Sequence, residues 1–127
     1  MTGIFLVGTG GFIGAVLRYL LSGLVQLASR SVTFPYGTLA VNVIGCFVMG
    51  LLCQLADARN VLAPETRSFL LIGVLGGFTT FSTFANETLN LARDGEDLLT
   101  IANISAHIFL GVTAVWAGRA LAQMVWR

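Results

Sequence analysis

Gly76-Gly77-Phe78-Thr79-Thr80-Phe81-Ser82-Thr83-Phe84 lies within an apolar stretch, residues 68–92, that is long enough to cross a bilayer. Paired glycines, four hydroxyl side chains and spaced phenylalanines do nothing for a helix that only has to sit in lipid. In hydrocarbon every backbone N–H and C=O needs an internal partner. A helix therefore opens at that depth only where it is buried in protein or lines a polar cavity. The stretch predicts a break in a membrane helix and, at the break, a site for an ion or small polar solute.

The surrounding chain has the composition such a span requires. Of its 127 residues 56% are hydrophobic and 10% charged, with a mean hydropathy of +0.86, too apolar for an ordinary soluble domain. Four apolar stretches, roughly 4–27, 35–56, 68–92 and 98–125, each supply the ~20 residues of a spanning helix. The connections are short. This predicts an all-α membrane protein with one four-helix transmembrane domain over residues 1–127. No basic residue precedes the first apolar run, so that run reads as a retained span and not as a secretory signal. Cys46 and Cys53 lie seven apart on one predicted helix, about 10 Å by helical rise, too far for a disulfide.

All seven basic residues are arginine. An even number of spans places Arg59, Arg67, Arg119 and Arg127 on one side, Arg30 and Arg93 on the other, and Arg18 inside the first span. Four against two is a weak orienting bias, compatible with insertion both ways round. Trp116 and Trp126 suit interfacial anchoring. Gly8-Thr9-Gly10-Gly11-Phe12-Ile13-Gly14 superficially matches a dinucleotide-binding turn. That turn needs a preceding strand and an acidic residue about twenty positions on, whereas the first acidic residue here is Asp57. Gly10 with Gly14 instead forms a small face for close helix approach. Gly73 with Gly77, Cys46 with Gly50 and Ala114 with Gly118 repeat it on the other helices, which predicts tight packing, including across a subunit interface.

Few polar side chains remain within the predicted spans. Thr38 and Asn42 share a face of the second helix. Thr79, Thr80, Ser82 and Thr83 follow the glycines, with Glu87 about one turn beyond. The fourth span carries Asn103, Ser105 and His107, and the first carries Arg18. Each has an ordinary structural reading. Hydroxyls bond back to the preceding turn, an asparagine can tie helices together, a lone histidine makes no metal site, and an arginine can snorkel. Together they place neutral donors on three helices beside a broken segment, and intramembrane polar groups are functional by default. Cation routes usually carry carboxylates, and only Glu87 is available. Asn, Ser, Thr and His all donate hydrogen bonds, and phenyl rings present a positive edge. The lining favours a small anion.

Three blocks, in order, carry a family resemblance: Gly10-Gly11-Phe12-Ile13-Gly14-Ala15 with Arg18-Tyr19; Gly37-Thr38-Leu39 with Val41-Asn42 and Gly45; and Gly76 to Phe84 with Glu87. Over nearly its whole length the chain resembles the Fluc, or CrcB, fluoride channels. The resemblance implies no enzymatic activity. It implies a dual-topology homodimer of antiparallel subunits in the cell membrane, surrounded by lipid and not associated with nucleic acid. Two pores would pass fluoride passively and protect the cell from it. Phe81 and Phe84 match the paired pore phenylalanines, Asn42 the pore asparagine, and Ser82 and Thr83 the hydroxyls between the rings. Glu87 matches an acidic residue at the pore's end, and Thr38 lies within the second matching block. Asn103 and His107 take the pore-lining role on the fourth span, and Arg18 is expected near one mouth. A structural sodium ion at the dimer centre would be held by the backbone carbonyls of Gly76 and Thr79. The competing reading, a small multidrug-resistance exporter coupled to protons, needs a carboxylate deep in the first span, and none is there.

Overall fold

The computed structural model of the chain describes residues 2–59 and 62–125, except for the side chains of 58 and 59. Trp126, Arg127 and the side chain of Arg59 therefore lie outside the described residues. The regular structure among the described residues is all helical, without a strand. It comprises α1 (Thr2–Ser29), α2 (Tyr36–Arg59), α3 (Pro64–Arg67), a π-helical run Ser68–Leu75, α4 (Gly76–Phe78), α5 (Phe81–Arg93) and α6 (Asp97–Val125). Four helical stretches, Thr2–Ser29, Tyr36–Asp57, Pro64–Arg93 and Asp97–Val125, are long and apolar enough to cross a membrane.

Local chemistry sets the ends. Pro64 opens α3, where a missing N–H leaves nothing unsatisfied. After α5, Gly95 adopts φ 78°, and the Glu96 N–H donates to the Leu91 carbonyl at 2.9 Å, the glycine-terminated turn that closes a helix C-terminus. Arg30 takes the corresponding left-handed place after α1 with φ 55°. The loop that follows is held by Gln26. Its Nε2 donates to the carbonyls of Ser31 (2.7 Å) and Phe34 (3.1 Å), while its Oε1 accepts from the Gly37 N–H at 3.0 Å.

Successive spans alternate in direction, and glycines set their spacing. α1 lies against the third span. A Cβ on Gly10 would stand 2.6 Å from the Phe69 carbonyl oxygen, and one on Gly14 would overlap that of Val74. Gly77 approaches the Gly11 carbonyl in the same way. α2 lies against α6, with Gly50 on the Val115 carbonyl and Gly118 on the Phe47 carbonyl. These small residues thus pack the spans of one chain onto each other. Both cysteines are free. At the far end Asp57 lies 3.9 Å from Arg67 and 4.0 Å from Arg119. These exposed pairs contribute little to stability, but they fix three charges at one end of the bundle. The π-helical run was not legible beforehand, since SFLLIGVL has the composition of any apolar α-helical segment.

The glycine spacing has a direct test. Gly14→Val should destabilise the folded protein in detergent by about 1–3 kcal/mol through overpacking. Gly8→Ala, where nothing lies within 4 Å, should be neutral. Thermal unfolding of the two variants decides the matter.

Candidate functional site

The regular helical bonding of the third span ends where the Thr79 N–H donates to the Leu75 carbonyl at 3.0 Å. Thr79 (φ −88°, ψ 158°) and Thr80 (φ −151°, ψ 113°) are extended, and α5 begins at Phe81. Two extended residues inside an apolar run leave backbone groups without helical partners, and side chains from α1 and α2 meet them. The Thr80 N–H donates to Asn42 Oδ1 at 2.8 Å, and Asn42 Nδ2 donates to the Thr80 carbonyl at 3.0 Å. The amide of Asn42 thus pairs with Thr80 much as a neighbouring strand would. Arg18 Nη1 donates to the Thr79 carbonyl at 3.4 Å. The Thr80 hydroxyl oxygen accepts from the Thr83 N–H at 3.2 Å and caps α5. Because Asn42 takes the Thr80 N–H, the Gly76 carbonyl four residues back loses the donor that a continued helix would give it.

A count of protons separates candidate donors that are occupied from those that are free. A hydroxyl carries one proton. Thr38 gives its proton to Glu87 Oε1 (2.8 Å), Thr79 to the Leu75 carbonyl (3.0 Å), Thr80 to Thr83 Oγ1 (2.9 Å) and Thr88 to the Phe84 carbonyl (2.7 Å). Thr83 receives a bond at its oxygen and keeps its own proton. Asn42 has spent one of its two N–H groups. Ser82 stands 3.4 Å from the Thr80 hydroxyl, whose proton is already committed. Ser82 is therefore the donor in that contact, and the donors left over are those of Asn42 and Thr83.

Three recesses run along this segment. One, of about 540 Å³, opens at the α1–α2 loop and is lined by Gln26, Thr38, Glu87, Asn90 and Asp94 among others. It shares Ser22 and Thr38 with a second, of about 260 Å³, walled by Arg18, Thr80 and Thr83. Thr80 also lines the third, about 330 Å³, with Asn42, Phe81, Phe84 and His107. Thr80 therefore stands between the recess of Arg18 and a mainly apolar recess walled by the phenylalanines.

The phenylalanines lie on this third recess. The rings of Phe81 and Phe84 are 5.5 Å apart at 58°, and His107 lies 4.2 Å from Phe84. Phe81 is 78% exposed in the single chain. His107 Nδ1 lies 3.0 Å from the Asn103 carbonyl, an acceptor, so this nitrogen bears the proton and Nε2 is left without a partner. Gly76 and Thr79 offer main-chain oxygens at the interruption. Asn103 is fully buried and donates from Nδ2 to Thr88 Oγ1 at 2.9 Å; it does not line the recess beside Phe84. Of the residues the sequence singles out, the structure brings Thr38 against Glu87 and Asn42 against Thr80 of the hydroxyl run. Sequence reasoning missed Thr88 and Gln26. A hydroxyl next to a carboxylate and an amide at the end of a span carried no distinguishing signal, and only tertiary contact reveals their partners.

Four apolar spans around a hydrogen-bonded interruption define a small multi-pass membrane protein with a polar site in its third span. The chain belongs to the family described as "CrcB-like protein, Camphor Resistance (CrcB)", which it matches over residues 5–119. Curated relatives cover nearly the same length. The "Fluoride-specific ion channel FluC" of Elusimicrobium minutum is 45% identical over 121 residues, 95% of this chain and 94% of its own. The protein of that name from Geobacter sulfurreducens is 48% identical over 119 residues, 93% and 94% of the two chains. That from Rhizobium meliloti is 46% identical over 121 residues, 95% and 96%.

The pairing of Asn42 with Thr80 predicts a graded response. Asn42→Leu leaves two buried backbone groups unpaired, at on the order of 1–3 kcal/mol each, and should speed amide hydrogen exchange at residues 79–83. Asn42→Asp keeps the acceptor for the Thr80 N–H and should fall between the two. Unchanged exchange in the leucine variant would dissolve the pairing.

Proposed function

We propose that the protein is a fluoride channel that lets the anion leave the cell passively, as two inverted copies enclosing two pores. The observation that carries this reading is that two neutral donors, Asn42 and Thr83, stay free on the recesses either side of Thr80, one of which holds the phenylalanine pair. Asn42 keeps one N–H on the recess it shares with Phe81 and Phe84, Thr83 keeps its proton on the recess it shares with Arg18, and the family relatives are named for fluoride. Fluoride holds its water more tightly than chloride does, so a selective route must replace that water with donors at close range, as carbonyls do for potassium. Directed N–H and O–H groups do this for an anion, and phenyl ring edges add a positive surface without a fixed charge that would trap the ion. Arg18 raises the local anion concentration, while Thr38 and Glu87 stand on the recess leading outward. His107 belongs to the wall on the fourth span.

A second copy fits two observations. Phe81 projects from the single chain, 78% exposed, and the arginine bias is too weak to impose one orientation. At the two-fold axis the Gly76 and Thr79 carbonyls of both copies would provide four oxygens, the donor type a hard cation takes. The fit is sound on the chain's own terms. The Gly76 carbonyl has lost its helical donor, and the Thr79 carbonyl has a second lone pair beside the one facing Arg18. A bound sodium ion would supply positive charge that joins the two interrupted spans.

Liposomes loaded with fluoride should release it electrogenically, without a proton gradient, and retain chloride. Phe81→Ile should cut fluoride efflux at least severalfold while the dimer persists. Chloride leaving as fast as fluoride, or strict coupling to protons, would reject the channel reading. Replacing sodium with a bulky organic cation should lower the dimer's thermal stability, because a ligand bound only to the folded state stabilises it by mass action.

A further inference from the structure

Asn103 has no exposed surface, yet it is a strongly polar residue on an apolar helix. Its bonding has a direction that the protons fix. Thr88 spends its one proton on the Phe84 carbonyl at 2.7 Å. Its oxygen can then only accept, so the Asn103 amide must turn its NH₂ toward Thr88, at 2.9 Å. The amide oxygen is thereby sent to the opposite side, where it has no partner among the described residues. A second tie leaves the same residue through its backbone. The Asn103 carbonyl accepts from His107 Nδ1 at 3.0 Å, and the His107 ring lies 4.2 Å from Phe84 at 36°.

Both ties end on Phe84. Thr88 holds its carbonyl, and His107 holds its ring. The remaining neighbour in the aromatic group is Phe81, 5.5 Å away. One turn of α6, residues 103–107, thus reaches Phe84 twice, at its main chain through Thr88 and at its ring through His107, while Asn103 is absent from the recess wall. An asparagine that only tied α5 to α6 could use any acceptor on α5. This one uses the hydroxyl whose own proton goes to Phe84.

We infer that Asn103 and Thr88 form a positioning pair that sets Phe84 for discrimination between halides, with Asn103 outside the ion's path. The inference rests on the fluoride-pore reading and assigns it two residues that act through a third. Its consequence lies in selectivity more than in throughput. A change that merely impairs folding lowers the number of working channels and leaves the ratio of chloride to fluoride permeability untouched. A displaced Phe84 ring alters that ratio in every channel.

The test is the permeability ratio in liposomes, with the wild type measured first. Thr88→Val is nearly isosteric and removes both the acceptor for Asn103 and the donor to Phe84. It should raise the chloride-to-fluoride ratio severalfold, and Thr88→Ser should restore the wild-type value. Asn103→Leu should move the ratio the same way, and the double variant no further than the larger single one, since the two residues act as one unit. A wild-type ratio in Thr88→Val, or effects that add in the double variant, would overturn the proposal while leaving the pore reading intact. Thr88→Val decides alone if Asn103→Leu does not fold. Wild-type liposomes that release no fluoride would instead bring down the pore reading, and this proposal with it.

Discussion

The rest of the site depends on one requirement, that the backbone at Thr79 and Thr80 be hydrogen-bonded without a helix. Two extended residues in an apolar span expose N–H and C=O groups whose burial without partners costs several kcal/mol in hydrocarbon. Asn42 meets both groups of Thr80 with one amide, Arg18 meets the Thr79 carbonyl, and the Thr80 hydroxyl meets the Thr83 N–H. Each partner comes from a different part of the fold. The interruption is therefore a product of tertiary structure, and it would close into helix or collapse without α1 and α2 at their observed places.

Glycine contacts put those helices there. Gly14 lets α1 come down on the Val74 carbonyl, and Arg18, one turn further on the same face, then reaches Thr79. On α2, Gly45 accommodates the Thr79 methyl and the Phe78 ring, and Asn42 lies nearly one turn before it. Close approach at a small residue thus fixes the reach of the polar residue a turn away. Larger side chains at these glycines would lift the helices and separate donors from acceptors, which ties the packing of the apolar spans directly to the geometry of the polar segment.

Much of this was legible in the chain. Hydropathy gives four spans to within a few residues, because length and apolarity leave a membrane helix little freedom. The sharing of a face by Thr38 and Asn42 follows from helical periodicity, and both do meet the third span. The π-helical run was not legible, since the i→i+5 pattern answers to neighbours and leaves no compositional trace. The ties from Asn103 to Thr88 and from Gln26 to the α1–α2 loop were also hidden. Periodicity states which face a residue occupies, whereas a hydrogen bond between two helices also depends on their relative height and rotation. Asn103 and His107 share a face, as their spacing requires, yet only His107 reaches the recess.

The allocation of protons explains why so many hydroxyls can stand near one place without forming an indiscriminate polar hole. Most are already committed: Thr38 to a carboxylate, Thr79 and Thr88 to main-chain carbonyls, Thr80 to Thr83. Each commitment turns the hydroxyl's proton away from solvent and leaves a lone pair that repels an anion. What remains free is small and directional: one N–H of Asn42 and the proton of Thr83, because Ser82 donates to Thr80. Thr80 is the branch point, since it takes bonds at its backbone from Asn42, caps α5 with its oxygen, and hands its own proton forward to Thr83. Removing that single hydroxyl would uncap a helix and release the orientation of its neighbour together. On the proposed reading, anion affinity at this segment would be set by which protons the fold leaves unspent, and the number of polar residues present is a poor guide to it.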